Sequence, residues 1–298
     1  MELCKNNICR NCISSKDRSL IVRPHKNNGF GNRLAGIRGA YALARTTNRS
    51  FFIDWPYDET ESSFFHTKFN KQFNYSRYYD LKKNNCPVVL RETFPSMSST
   101  IIKWGYSNEK TIILEQLYND LGFEKNAHFI YKKLFKPTQE FQQSLNKYIY
   151  SLGLRKNWLG FQIRRNDYKK MPLTVKELKG IDHSIRCIKN INASQVFLTT
   201  NSVHVKEYLK NYKFVINNDP SYSKHSNKKN GYKKSLLEFA TLASSNMIVG
   251  TAGSTFAKEA SYFGGVELTM LKQNTYILRT IKSHGGCGFK HRYDKNIF

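Results

Sequence analysis

Acidic residues are scarce in this chain: 22 Asp and Glu stand against 48 Lys and Arg in 298 residues, a formal charge of +26. Such a balance points to an anionic partner: nucleic acid, a membrane surface, an acidic polymer or a phosphorylated small molecule. Long apolar runs are also missing. None approaches the roughly 18–20 residues of a membrane helix. The first residues, Met-Glu-Leu-Cys-Lys-Asn-Asn, lack the basic start and apolar stretch of a secretory signal. The expectation is a chain without a membrane span, cytoplasmic or peripheral to a membrane. Seven Pro and 17 Gly exclude collagen-like and Pro-rich sequence. A 40% hydrophobic content is too high, and too evenly spread, for a disordered chain.

Several chemical signatures are absent. No G-x-x-x-x-G-K-[ST] loop occurs, and no D-x-D pair of the kind that holds Mn²⁺ or Mg²⁺ against a sugar diphosphate. Of the six cysteines, Cys4, Cys9 and Cys12 form C-x4-C-x2-C, while Cys86, Cys187 and Cys287 stand apart. The first three lack a fourth ligand and the paired spacing of a zinc motif. Free thiols are expected there, and disulfides are not expected without a signal segment.

What is present is an alternation of short apolar runs with amphipathic stretches. Residues 1–18 are polar and aperiodic. Ser19–Val22 reads as a strand, Arg33–Thr47 as a helix and Ser50–Asp54 as the next strand, a βαβ unit with a tight first turn. Pro56–Pro137 is aromatic, mixed and hard to assign. Further strands are expected at Leu159–Ile163, Gln195–Thr199, Phe214–Ile216, Met247–Gly250 and Val266–Leu271. Helices are expected at Leu178–Ile191, Val203–Asn211, Lys233–Ser245 and Thr255–Tyr262. This order implies an α/β fold with parallel, doubly wound sheets. A boundary near Gly153 divides it into residues 19–152 and 153–298.

Three segments, each after an expected strand, carry chemistry. Gly29-Phe30-Gly31-Asn32-Arg33 opens the first helix, and its two glycines allow positive φ and close approach of a ligand to the backbone. Leu34 occupies the place of the third glycine of a dinucleotide fingerprint, so this is not a usual NAD loop. Gln162-Ile163-Arg164-Arg165-Asn166-Asp167 ends a strand, where open α/β sheets bind ligands. Neighbouring side chains diverge there, so one arginine can reach phosphate while the other pairs with a carboxylate. Gly253-Ser254-Thr255-Phe256 leads a strand into a helix whose N–H groups can hold phosphate. Each segment alone also fits a plainer role: a tight turn, a surface Arg pair with a capping Asp, and an N-cap.

The order of these segments resembles that of the fucosyltransferase superfamily of GT-B architecture, which includes α1,2, α1,6 and protein O-fucosyltransferases. The shared elements are G-x-G-N-[RQ], H-x-R-R-x-D and a small-residue-S-T-F segment before a late helix. Leu236-Leu237-Glu238 through Gly250 is also similar. Gln162 replaces the usual histidine, and Thr199-Thr200-Asn201 stands where many members carry an acidic residue. The resemblance implies two Rossmann-type domains facing a central cleft, 19–152 on the acceptor side and 153–298 on the donor side. It implies inverting transfer of fucose from GDP-fucose to a glycan or glycolipid hydroxyl without a metal or other cofactor.

On that resemblance Arg164 or Arg165 stabilises charge on the departing β-phosphate, with Arg164 favoured. Gly29, Gly31, Asn32, Arg33, Asp167, Thr199 and Glu238 are implied to bind the donor, and Ser254, Thr255 and Phe256 to hold the phosphates and pack near the nucleotide. Asp54 is a candidate base for the acceptor, with Glu59 and Glu61 as others and Asp167 as one that more readily orients the Arg pair. Another GDP- or UDP-sugar is the nearest alternative. A nucleic-acid-binding protein is the alternative of another class, but no zinc finger, RNP motif or basic recognition helix is seen, so no nucleic-acid partner is expected. The run Lys224, Lys228, Lys229, Lys233 and Lys234 reads as a solvated loop or as a contact for anionic lipid. Asn48, Asn74 and Asn192 lie in N-x-[ST] sequons.

Overall fold

The computed structural model describes residues 18–24, 29–55, 69, 88–91, 98–107, 111–115, 117, 121–122, 126–165, 172–189, 193–213, 215–217 and 229–271. The chain divides into two units, Met1–Lys136 and Pro137–Phe298.

In the first unit, β1 (Ser19–Arg23) is followed by α1 (Phe30–Thr46), β2 (Ser50–Ile53), β3 (Val88–Arg91), α2 (Ser98–Gly105), β4 (Thr111–Glu115) and α3 (Ala127–Leu134). The strands pair in parallel in the order β2-β1-β4-β3. Ser19 through Arg23 is buried throughout, as expected of a central strand covered on both faces. Helix α1 is buried along most of its length, including the Arg38 side chain, which lies over the Tyr131 ring of α3 at 6.0 Å. Arg49 donates from Nε to the Gly105 carbonyl at 2.9 Å and from Nη2 to that of Ser107 at 2.7 Å, tying the end of α1 to α2. β3, α2, β4 and α3 lie in the stretch whose composition does not assign it.

The second unit begins with α4 (Gln139–Ser151). It continues through β5 (Trp158–Ile163), α5 (Val175–Lys189), β6 (Gln195–Thr200), α6 (Val203–Leu209), β7 (Val215–Asn217), α7 (Lys229–Ala243), β8 (Met247–Thr251), α8 (Thr255–Gly264) and β9 (Glu267–Leu271). The division falls before α4, not at Gly153, because α4 packs on α7. Gly153 is instead the left-handed residue, at φ 65°, that stops α4 after Leu152.

The sheet is parallel throughout, in the order β7-β6-β5-β8-β9. One face carries Leu159, Phe161, Ile163, Val196, Leu198 and Val249, packed with Ile181, Ile185 and Ile188 of α5 and Val205 and Leu209 of α6. Tyr208 and Tyr212 donate to Asp182 Oδ1 at 2.5 and 2.6 Å, pinning this layer further. On the opposite face a Cβ on Gly160 would meet Leu242 Cδ2 of α7 at 2.8 Å, and one on Gly250 would meet Ala257 Cβ of α8 at 2.7 Å. Both positions need glycine for the helices to approach so closely.

Cys187, buried on α5, is disulfide-bonded. This corrects the expectation that disulfides are absent, which rested on N-terminal composition and could not register which thiols meet in three dimensions. Cys4, Cys9, Cys12, Cys86 and Cys287 lie outside the described residues. Among the described residues no helix is long and apolar enough to cross a membrane.

Candidate functional site

The second sheet reverses direction at its middle. The chain runs β5, β6, β7 to one edge, then returns to lay β8 and β9 on the other side of β5. The carboxyl ends of β5 and β8 are therefore the topological switch point, where open α/β sheets form a ligand crevice. Arg164 and Arg165 follow β5, and the segment Ala252–Ser254 follows β8.

The two arginines part company at this edge. Arg165 is 2% exposed, and its guanidinium meets Glu177 through Nε–Oε1 at 3.3 Å and Nη2–Oε2 at 3.2 Å. Glu177 also caps its own helix. Its Oε2 accepts from the Thr174 N–H at 2.9 Å, while Thr174 Oγ1 accepts from the Glu177 N–H at 3.2 Å. This is a capping box, T-x-x-E, whose carboxylate has a second use as the counter-ion of Arg165. The Arg165 guanidinium is thus held inside its own unit by Glu177. Arg164 is exposed at the strand tip. Its N–H donates to Thr251 Oγ1 at 2.8 Å.

Gly253 adopts φ 81°, which turns the chain from β8 into α8. Ser254, 3% exposed, is the N-cap, and its Oγ accepts from the Ala257 N–H at 3.4 Å. The first turn of α8 holds no acidic residue, so nothing there opposes the partial positive charge of the helix start. Thr255 and Phe256 are half-buried in this turn. Phe256 meets the Phe239 ring edge-on at 5.4 Å, so it braces α8 against α7. The structure therefore brings Arg164, Ser254, Thr255 and Phe256 to adjacent strand ends of one unit.

Gln162 and Thr199 are register partners on β5 and β6 and lie one step before these ends. They are 6% and 4% exposed, yet Gln162 Oε1 and Thr199 Oγ1 have no hydrogen-bond partner. Buried polar atoms without partners are uncommon and call for an explanation. Glu238, half-buried on α7, lies near Tyr148. Burial, reinforced by the Glu238 charge, pushes the Tyr148 hydroxyl well above its ordinary range.

In the first unit, Gly29 is the N-cap of α1 with φ −60°, and Gly31 lies inside the first turn. The helix starts three residues before the expected Arg33, and Gly29 does not need positive φ. A Cβ on Gly29 would meet nothing within 4 Å, so packing does not require glycine there. Asn32 is half-buried and Arg33 is 5% exposed. At the carboxyl edge of this sheet, Arg23 Nε lies 3.5 Å from Asp54 Oδ2, and Arg23 is the register partner of Glu115. All three are buried. Burial pushes the Glu115 carboxyl above its ordinary range, with Arg23 opposing and Asp54 reinforcing the shift. Asp167, Glu59, Glu61, Asn74 and Asn192, with Lys224 and Lys228, lie outside the described residues.

Glu177, Thr251, Arg23 and Glu115 were given no role in the site from sequence, and Asn201 was noted only as a departure from the resembled family. The T-x-x-E spacing of Thr174 and Glu177 was a usable signal; the others have none short of the fold.

No protein-family model matches the chain, and no curated protein sequence matches it. Solved structures do. One is an Arabidopsis thaliana FUT1 mutant in complex with GDP, at 15% identity and TM-score 0.65, covering 90% of this chain and 74% of that one. The chain shares the fold of that structure. A second example of that fold is the Bradyrhizobium α-1,6-fucosyltransferase NodZ soaked with GDP-fucose, at 17% identity and TM-score 0.61, covering 89% and 99%. A third is POFUT1 in complex with GDP, at 12% identity and TM-score 0.53, covering 86% and 99%.

Proposed function

We propose that this protein is an inverting, metal-independent glycosyltransferase that moves L-fucose from GDP-fucose to a glycan or glycolipid hydroxyl. The observation that carries the reading is Arg164, exposed at the switch point of a sheet beside a helix start that holds no acidic residue, in a fold whose solved examples include one in complex with GDP and one soaked with GDP-fucose.

Departure of GDP builds negative charge on the β-phosphate. A guanidinium aimed at that oxygen stabilises the transition state more than the bound donor, as catalysis requires. In this reading Arg164 supplies the charge and Arg165, held by Glu177, keeps the strand tip in place. Ser254, Thr255 and the N–H groups of α8 hold the phosphates. Gln162 Oε1 and Thr199 Oγ1 accept hydrogen bonds from the nucleoside, which removes the cost of leaving them unpaired. The high positive charge favours an acceptor at an anionic membrane.

A thermal-shift panel of GDP, GDP-fucose, UDP and UDP-sugars tests this. A ligand at 100 times its Kd stabilises the fold by about 2.7 kcal/mol. GDP and GDP-fucose are expected to raise the melting temperature, and Arg164→Ala to lose most of the rise. A rise with UDP and none with GDP would overturn the fucosyl assignment.

A further inference from the structure

We propose that Asn201 and Thr251 are positioning residues that clamp the backbone around Arg164 and so determine where its guanidinium stands. This rests on the reading that Arg164 meets the leaving diphosphate.

The backbone ladders stop short of the arginines. The register of β5 with β6 ends at Ile163 and Thr200, and that of β5 with β8 ends at Gln162 and Gly250. Beyond these pairs, side chains from both neighbouring strands take over the hydrogen bonding. Thr251, the last residue of β8, accepts the Arg164 N–H at 2.8 Å and donates to the Gln162 carbonyl at 3.3 Å. Asn201, one residue past β6, accepts the Arg165 N–H through Oδ1 at 2.9 Å and donates through Nδ2 to the Arg165 carbonyl at 2.7 Å. The Arg164 side chain leaves a peptide segment fastened on both flanks.

The amide of Asn201 has one workable orientation, because the Arg165 N–H can only donate and its carbonyl can only accept. An aspartate would serve the N–H but set a carboxylate oxygen against the carbonyl at 2.7 Å. It would also place negative charge beside the arginine that the reaction needs. The resembled family often carries an acidic residue after this strand. In this chain the neutral amide has a defined role: it holds the peptide at both ends. A long exposed arginine has many rotamers, and fixing its backbone is what limits the positions its charge can reach. Displacement of a catalytic group by about 1 Å can cost on the order of 100-fold in rate.

The test compares steady-state hydrolysis of GDP-fucose, with water receiving the fucosyl group and GDP released, by wild type, Asn201→Asp, Thr251→Val and Thr251→Ser, each also in an Arg164→Ala background. Asn201→Asp and Thr251→Val are expected to lower kcat by roughly 10- to 100-fold with little change in KM. Thr251→Ser, which keeps the hydroxyl, recovers most of the loss. In Arg164→Ala neither clamp variant lowers kcat further, since the group they aim is gone. Equal losses with and without Arg164, or Thr251→Ser no better than Thr251→Val, would overturn the inference while leaving the functional reading intact. A wild type that responds to neither GDP nor GDP-fucose would overturn both. The two clamp sites lie on different strands, so a variant that does not fold at one leaves the comparison available at the other.

Discussion

Removing the Glu177 carboxylate would leave the Arg165 guanidinium charged and enclosed. The two side chains are 3% and 2% exposed and face each other in a two-point contact, with a further bond from Arg165 Nη2 to the Pro172 carbonyl at 3.4 Å. Breaking a buried pair from one side costs about 3–5 kcal/mol, because the remaining charge has lost both water and its counter-ion. Glu177→Ala also removes half of a capping box, a smaller loss of roughly 0.5–2 kcal/mol that the same measurement includes. At roughly 2–4 °C per kcal/mol for a domain of this size, the ion-pair loss alone lowers the melting temperature by about 6–20 °C. Differential scanning calorimetry of Glu177→Ala, Arg165→Met and the double variant checks it. The double variant is expected to be more stable than the sum of the two losses, since replacing both charges with apolar groups is often close to neutral. A loss below about 1 kcal/mol for Glu177→Ala would mean that the pair behaves like a solvated surface bridge, and would refute the reasoning. So would additive losses.

Three other expectations follow from the same geometry. Gly250→Ala puts a Cβ 2.7 Å from that of Ala257 and forces α8 off the sheet, at a cost of about 1–3 kcal/mol in urea unfolding; an unmoved midpoint would contradict the packing. Burial holds the proton on Glu115 to a higher pH in the folded chain than in the unfolded one, so this group's effect is a loss of stability as pH rises from its ordinary 4.5 through the folded value. Glu115→Gln removes that loss, and its melting temperature relative to wild type climbs over that window; a constant or falling difference counts against the assignment. Peptide mapping without reductant should recover Cys187 in a disulfide, and a free thiol there would contradict the structure.

Much of the layer order was legible from local pattern. The apolar runs at 19–22, 159–163, 195–199 and 247–250 became buried parallel strands, because a strand covered on both faces must be apolar along its length. β3 and β4 were not legible amid the mixed aromatic composition around them, although Ile112, Ile113 and Leu114 are almost fully buried. Gly153 misled because one glycine signals either a linker or a helix stop, and the packing of α4 on α7 decides between them.

The sequence alone determined that two arginines follow a buried strand and that a Ser-Thr pair opens a late helix, since local periodicity and capping chemistry act within a few residues. Which arginine faces solvent was decided only by tertiary structure. Arg165 takes its carboxylate from 12 residues away, its backbone is fastened from 36 residues away, and the Arg164 N–H is fastened from 87 residues away. Hydrogen bonds across such separations exist only once the sheet has brought three strand ends together, and no local rule specifies their partners.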